Sequence, residues 1–268
     1  MVRQPAVAGA FYPANAAVLR QTITELLKSS VASCDTDRPK ALIAPHAGYV
    51  YSGPVAGQGY AQLIKHAEII RRVILLGPVH RVPVRGLALP KAYRFATPLG
   101  EVPVDQDSIR RLVGIPQVVV NDAAHAFEHS LEVQLPFLQS VLHDFSLVPL
   151  AVGDATAEEV ADVLEALWGG PETLILVSSD LSHYLPYAQA KQIDHDTVER
   201  ILGGRQLDSF ERACGAVPIN GLLLAASRHK LTPKLVSQCN SGDTAGDRQS
   251  VVGYSAIKFL EARGTPTS

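Results

Sequence analysis

Six short runs rich in leucine and β-branched residues recur along the chain, and the stretches between them carry helical rather than strand periodicity. The runs are residues 41–45, 73–76, 117–120, 146–151, 173–178 and 251–259. Strands that are apolar almost throughout, rather than on alternate positions, are covered on both faces. The intervening patterns predict helices over 16–28, 54–65, 126–142, 157–168, 188–202 and 218–229. The clearest is 157–168, where Thr156 and Glu159 have the spacing of a capping box and Val160, Val163, Leu164 and Leu167 form one apolar stripe. Strands alternating with helices predict an α/β sandwich with a central mixed or mostly parallel sheet flanked by helices. No repeat, low-complexity tract or linker divides the sequence, so residues 1–268 are read as a single domain.

Sheets of this kind place their ligands beyond the carboxyl ends of the strands. Three of the apolar runs end there in a histidine-bearing turn: Pro45-His46, Pro78-Val79-His80, and Ser179-Asp180-Leu181-Ser182-His183. Proline before His46 and His80 fixes the turn and leaves each imidazole on the rim of the sheet, which suits a metal ligand. Two separately hydrogen-bonded loop histidines would give the same spacing. Asp180 and His183, three residues apart, are candidate catalytic groups, because a carboxylate beside an imidazole fixes its tautomer and raises its proton affinity. The competing reading makes Asp180 a helix N-cap and His183 a surface residue.

The segment from His125 to Glu132 spaces His125, Glu128, His129 and Glu132 so that they share one face of a helix. With no second such motif and no H-E-x-x-H order, Glu128, His129 and Glu132 are assigned behind the strand-end ligands rather than to the metal itself, and a solvated helix face is the competing reading. Tyr51, with Tyr49, Tyr184 and Tyr187, flanks the histidine segments and is a candidate pocket residue. Cys239 to Asp247 reads as a glycine- and aspartate-rich turn segment, in which Cys239 and Asp243 are the residues able to bind a metal. Gly53, Gly57 and Gly59 do not fit a dinucleotide fingerprint. A phosphate loop and a nucleophile elbow are also absent.

Twenty-four basic residues against 26 acidic ones leave a formal charge of −2, which gives no attraction to nucleic acid or to an anionic membrane surface. A small molecule or peptide is the expected ligand. Three scattered cysteines, Cys34, Cys214 and Cys239, build no disulfide framework and imply a reducing compartment. With no leader-like segment and no run near the ~18 apolar residues of a membrane span, the expectation is a cytoplasmic protein.

Six motifs run in order from end to end: Pro5-Ala-Val-Ala-Gly-Ala-Phe-Tyr-Pro13, Ala44-Pro-His-Ala-Gly-Tyr49, Leu76-Gly-Pro-Val-His80, Glu128-His-Ser-Leu-Glu132, Ser178-Ser-Asp-Leu-Ser-His183 and Val252-Gly-Tyr254. Together they resemble the Memo family, whose microbial members are called AmmeMemoRadiSam system protein B. The resemblance implies a fold like that of the class III extradiol, non-haem iron dioxygenases, with metal ligands at His46 and His80 and the polar pair at Asp180 and His183. In animal members a C-terminal cysteine completes the metal site, and counting back from Gly253-Tyr254 puts the equivalent position at or next to Thr244. The third ligand is therefore open between Asp243, which would suit Fe(II), and Cys239, which would suit copper, zinc or iron. The microbial name also implies a radical S-adenosylmethionine protein and an AMMECR1-type protein as partners; a homo-oligomer is left open.

Three functions compete on this reading. The first is a metal-dependent, dioxygenase-like oxidoreductase acting on a small molecule, with Fe(II) foremost and copper or zinc as alternatives. The second is a non-catalytic protein that binds a peptide or small molecule in the same cleft. The third is a metal-dependent hydrolase.

Overall fold

The computed structural model describes residues 1–28 and 37–261; Cys34 lies outside them. The first half contains β1 (Val2–Arg3), α1 (Ala16–Lys28), β2 (Pro39–Ala44), α2 (Tyr49–Ala61), β3 (Arg72–Pro78) and β4 (Leu87–Leu89). Then come β5 (Arg94–Thr97), β6 (Gly100–Pro103), α3 (Gln106–Leu112), β7 (Val118–Val120), α4 (Asp122–Ala126) and α5 (Leu135–Val141). The second half adds β8 (Ser146–Val152), α6 (Ala157–Leu167), β9 (Thr173–Ser178), β10 (His183–Leu185), α7 (Tyr187–Leu202), α8 (Ala216–Arg228), β11 (Thr232–Asn240) and β12 (Val251–Leu260).

Nine strands make one mixed sheet in the order β10-β12-β2-β9-β3-β8-β4-β7, and β11 joins as a hairpin partner of β12. The centre, β2-β9-β3-β8, is wholly parallel. Successive side chains of a strand point to opposite faces, and the core divides accordingly. Leu42 and Ala44 pack into the cluster under α1, α2 and α5, while Ala41 and Ile43 pack into the one under α6 and α8. A second small sheet, β1-β5-β6, sits beside the first. The expected α/β sandwich is thus the observed one. Among the described residues no helix is long and apolar enough to cross a membrane.

The six apolar runs all lie in strands, and the Thr156–Glu159 capping box starts α6, with Val160, Val163, Leu164 and Leu167 buried. The helix expected over 126–142 is the main correction. Three pieces replace it: α4, an irregular stretch through Glu128–Leu131, and a short 3-10 turn running into α5. His125, Glu128, His129 and Glu132 therefore do not share a helix face. Buried hydrogen bonds from four directions, described below, hold the irregular stretch open.

The helix expected from residue 54 begins at Tyr49, with Pro54 accommodated in its first turns. Gly57 is required there by packing, because a Cβ would lie 2.5 Å from the Leu26 carbonyl oxygen of α1. The turn expected from Cys239 onward starts later, since Cys239 still belongs to β11, opposite Tyr254.

Asp194 of α7 ties down the loop that follows β9. It accepts a 2.9 Å hydrogen bond from the Ser182 N–H and lies where a Cβ on Gly253 would meet its Oδ2 at 2.0 Å, which accounts for the glycine of Val252-Gly-Tyr254. Burial pushes the Asp194 carboxyl up to about 6, against hydrogen bonds from Ser182 that lower it. The folded state therefore holds this proton at pH values where the unfolded chain has released it. The group's contribution to stability is complete below the unfolded value near ~4 and is lost as pH rises through about 6. Asp194→Asn removes the titration, so the wild type should lose roughly 3 kcal/mol relative to the variant across that window. Urea unfolding of both proteins at either end of the window measures it, and a pH-independent difference would contradict it.

Candidate metal centre

Ala44 of β2 pairs with Ser178 of β9, and Val177 of β9 pairs with Leu76 of β3, so the three strands end level with one another. The turns that follow them deliver His46, Asp180 and His80 to one place. All three line a cleft of about 1560 Å³, together with His129 and His183. The ring centroids of His46 and His80 are 5.2 Å apart, those of His46 and His129 are 5.3 Å apart, and those of His80 and His129 are 4.6 Å apart. One ligand atom from each of these three imidazoles lies within 4.8 Å of the other two.

Hydrogen bonding at Nδ1 leaves Nε2 of His46 and of His80 to face the cleft. The Ser178 hydroxyl donates to the Ser130 carbonyl at 2.6 Å and accepts from Gln134 Nε2 at 2.7 Å. Its remaining lone pair faces His46 Nδ1 at 2.8 Å, so Nδ1 carries the ring proton and Nε2 keeps its lone pair. A carboxylate only accepts, so the 2.9 Å contact between His80 Nδ1 and Glu128 Oε1 assigns His80 the same tautomer. His129 Nδ1 lies 3.3 Å from that same oxygen, a charge contact and not a hydrogen bond. Burial lowers the proton affinity of His46 well below the ordinary value, with the other two imidazoles adding to the effect, and burial also lowers that of His129. Imidazoles that converge on one point, with His46 and His80 held at Nδ1 from behind, are what a transition-metal ion requires of its ligands.

Glu128 is the hub of this arrangement. Its Oε2 accepts from the His80 N–H at 2.6 Å, and its Oε1 accepts from the His129 and Ser130 N–H groups, both at 2.9 Å. Burial would push the carboxyl up, but the hydrogen bond and charge of His80 and these backbone donors bring it down to about 2. Glu128 thus sits behind His80 and His129. His129, expected behind the strand-end ligands, is instead the third imidazole of the group.

Asp243 and Cys239, expected as alternative third ligands, are outside the group. Asp243 Oδ1 accepts from the Tyr187 hydroxyl at 2.6 Å, and its Oδ2 accepts from the Asn240 N–H at 3.2 Å. Cys239 is held in the β11–β12 hairpin. Glu132 is also elsewhere: it is fully buried and binds the N-terminal segment through Arg3, the Ala6 and Val7 N–H groups and the Tyr12 hydroxyl.

Asp180 and His183 line the same cleft, as does Tyr51, but among the described residues no hydrogen bond joins Asp180 to His183. Nor does Asp180 cap a helix. Its Oδ1 accepts from the His46 N–H at 2.8 Å and the Ala47 N–H at 3.3 Å, fixing the turn that carries His46. Burial raises the Asp180 carboxyl, partly offset by those donors. His183 opens β10 opposite Val252, and Tyr184 beside it is exposed with φ 59°, a conformation that β-carbon crowding disfavours. Phe11, Tyr51 and Phe210 are further aromatic residues of the cleft wall. Sequence spacing gave no sign of Ser178 and Gln134 as partners of His46, or of Cys214, whose Sγ is 3.3 Å from His46 Nε2.

The family model described as Memo-like protein matches residues 3–258. The chain belongs to the Memo family. Curated relatives called MEMO1 family protein support this along their whole lengths. The one from Metallosphaera sedula is 34% identical over 97% of this chain and 100% of its own. That from Aquifex aeolicus is 34% identical, and that from Archaeoglobus fulgidus is 36% identical, covering 97% and 96% of this chain and 99% of each relative. An uncharacterized protein of Escherichia coli K12 has a similar solved structure, with a TM-score of 0.53, 16% identity, and coverage of 82% of this Memo protein and 99% of that chain. At that identity the likeness concerns the fold alone.

Proposed function

We propose that this Memo protein is a metal-dependent oxidoreductase for a small molecule, with one ion held by His46, His80 and His129. The observation that carries the proposal is the convergence of three imidazoles on a cleft large enough for a ligand. Three nitrogen donors suit Fe(II), copper or zinc, and the resemblance to the dioxygenases puts Fe(II) first. Such an ion, when bound, supplies Lewis acidity and, as iron or copper, one-electron chemistry.

The chain's own residues supply the remaining functions. Ser178 and Glu128 fix the imidazole tautomers, and Asp180 holds the His46 turn through two backbone N–H groups. Phe11, Tyr51 and Phe210 provide apolar wall for a ligand. His183 is the imidazole on that wall, outside the three-ligand group, and in this reading it takes or gives the substrate proton. A hydrolase would call on Asp180 as a base for water, yet one of its oxygens is already committed to two N–H donors, which weighs against that reading. We place the protein in the cytoplasm, in keeping with its free Cys214 and Cys239. Co-purification tests the radical S-adenosylmethionine and AMMECR1-type partners that the family implies.

Anaerobic reconstitution with Fe(II), followed by elemental analysis and oxygen-uptake assays across a panel of small phenols and catechols, tests the function. About one ion per chain and iron-dependent oxygen uptake are expected. If no iron, copper or zinc is retained, the metal reading fails. Retained metal with a ligand released chemically unchanged would instead make this a binding protein.

A further inference from the structure

The short strand β10 carries one residue too many for its partner. His183 stands opposite Val252 and Leu185 opposite Val251, so a step of two residues on β10 matches a step of one on β12, and Tyr184 is the extra residue of a β-bulge. Its φ of 59° lies in the left-handed region, a place ordinarily taken by glycine because a Cβ there crowds the following carbonyl. In a regular strand His183 and Leu185 would face one side and Tyr184 the other. Here all three line the cleft. The side chain so presented is left bare: Tyr184 is 76% exposed, and its ring meets that of His183 in a T-shaped pair with centroids 5.7 Å apart. Packing within the fold therefore does not account for a tyrosine at a glycine position. Of the five exposed tyrosine and phenylalanine side chains among the described residues, three, Tyr51, Tyr184 and Phe210, line this one cleft. Uncovered aromatic faces around one cavity suit a flat ring, since aromatic pairs gain more than their buried area alone gives.

We propose that Tyr184 is a specificity-determining residue of the cleft, stacking on a planar aromatic group of the ligand beside His183, and that the strained bulge is retained to present it. The inference deepens the functional reading above and rests on this cleft as its ligand site, but not on which ion the imidazoles hold. A strained backbone persists only where its surroundings over-determine it. The pairings of His183 and Leu185 with β12, one on either side of Tyr184, do so here. Glycine in its place would relieve the strain and lose the ring, so the fold and the ligand make opposite demands on residue 184.

The probe is 2-naphthol, a flat fluorescent ring system with one hydroxyl, and the control is decahydro-2-naphthol, its saturated and non-planar counterpart. The full chain, freed of metal with a chelator, is titrated as wild type, Tyr184→Phe, Tyr184→Gly and Tyr184→Asn, asparagine being the side chain that best tolerates the left-handed region after glycine. Fluorescence gives the affinity for 2-naphthol, and competition gives that for the saturated compound. Wild type and Tyr184→Phe are expected to bind 2-naphthol alike, and the glycine and asparagine variants about 3- to 10-fold more weakly, with a smaller change for the saturated compound. The melting temperature of Tyr184→Gly should be unchanged or higher by roughly 2 to 4 °C, which a merely structural tyrosine would not allow. Undiminished 2-naphthol affinity in the glycine and asparagine variants, equal losses for both compounds, or a lowered melting temperature in Tyr184→Gly overturns the proposal. So does failure of the wild type to bind 2-naphthol. Elemental analysis of the reconstituted protein judges the metal reading separately, so either can fail without the other.

Discussion

Replacement of His129 by alanine is expected to abolish metal retention as completely as replacement of His46 or His80, whereas Asp243→Asn and Cys239→Ser leave it intact. Each of the three imidazoles offers one ring nitrogen within 4.8 Å of those of the other two, and His46 and His80 are held at Nδ1 by a neighbour. Removing any of them leaves two protein ligands, too few to compete with water and buffer for a divalent ion, so affinity should fall by more than about 100-fold, beyond what loss of an outer hydrogen-bond partner costs. Asp243 and Cys239 have no such position, and their substitution alters only the hairpin and the contact with Tyr187. Dialysis after reconstitution, followed by elemental analysis of the five variants, is the measurement. Retention of metal by His129→Ala together with its loss in Asp243→Asn would restore the two-histidine, one-carboxylate site expected from the sequence.

The second large effect concerns stability. Glu132→Ala is expected to destabilise the protein by roughly 3 to 5 kcal/mol, the cost of breaking a buried ion pair by removing one partner. Glu132 is fully buried, and the Arg3 side chain paired with it is buried too. The same carboxylate accepts from the Ala6 N–H at 2.7 Å, the Val7 N–H at 3.0 Å and the Tyr12 hydroxyl at 2.6 Å. Alanine would leave the buried Arg3 cation with only the His125 and Glu128 carbonyls, and two backbone donors and a phenol without their acceptor, and each buried donor so orphaned adds to the loss. For a domain of this size the melting temperature should drop by about 10 °C or more. The segment from Arg3 to Tyr12, which carries Phe11 to the cleft, should become accessible to protease before the rest of the fold. Thermal melts and limited proteolysis read both effects; a shift of only one or two degrees would show that the segment is held by its apolar contacts instead.

These two residues show where the sequence was legible and where it was not. His129 and Glu132 belong to one motif, Glu128-His-Ser-Leu-Glu132, and helical spacing put them on one face with Glu128 and His125. That inference needed a continuous helix. The chain breaks after α4 because Glu128 caps the His80, His129 and Ser130 N–H groups, His125 turns to the Ala88 carbonyl, and Glu132 gathers in the N-terminal segment. Each of these side chains thus points to a different partner, and those partners lie 37, 48 and more than 120 residues away in sequence. The histidines at strand ends were legible for the opposite reason. Their positions follow from short turns after buried parallel strands, and the direction of such a turn is set locally.

The sequence by itself determined the apolar strands, the capped helix α6, the α/β layering and the edge of the sheet to which His46, His80, Asp180 and His183 are delivered. These depend on periodicity, capping and turn residues, which act over a few positions. The tertiary structure alone decided that His129 completes the imidazole group, that Asp180 serves the His46 turn, that Glu132 ties down the N-terminus and that Cys214 meets His46. Each of these is a contact between segments with no shared local pattern. Such contacts arise only when buried polar groups from several loops must satisfy one another in a space that water does not reach.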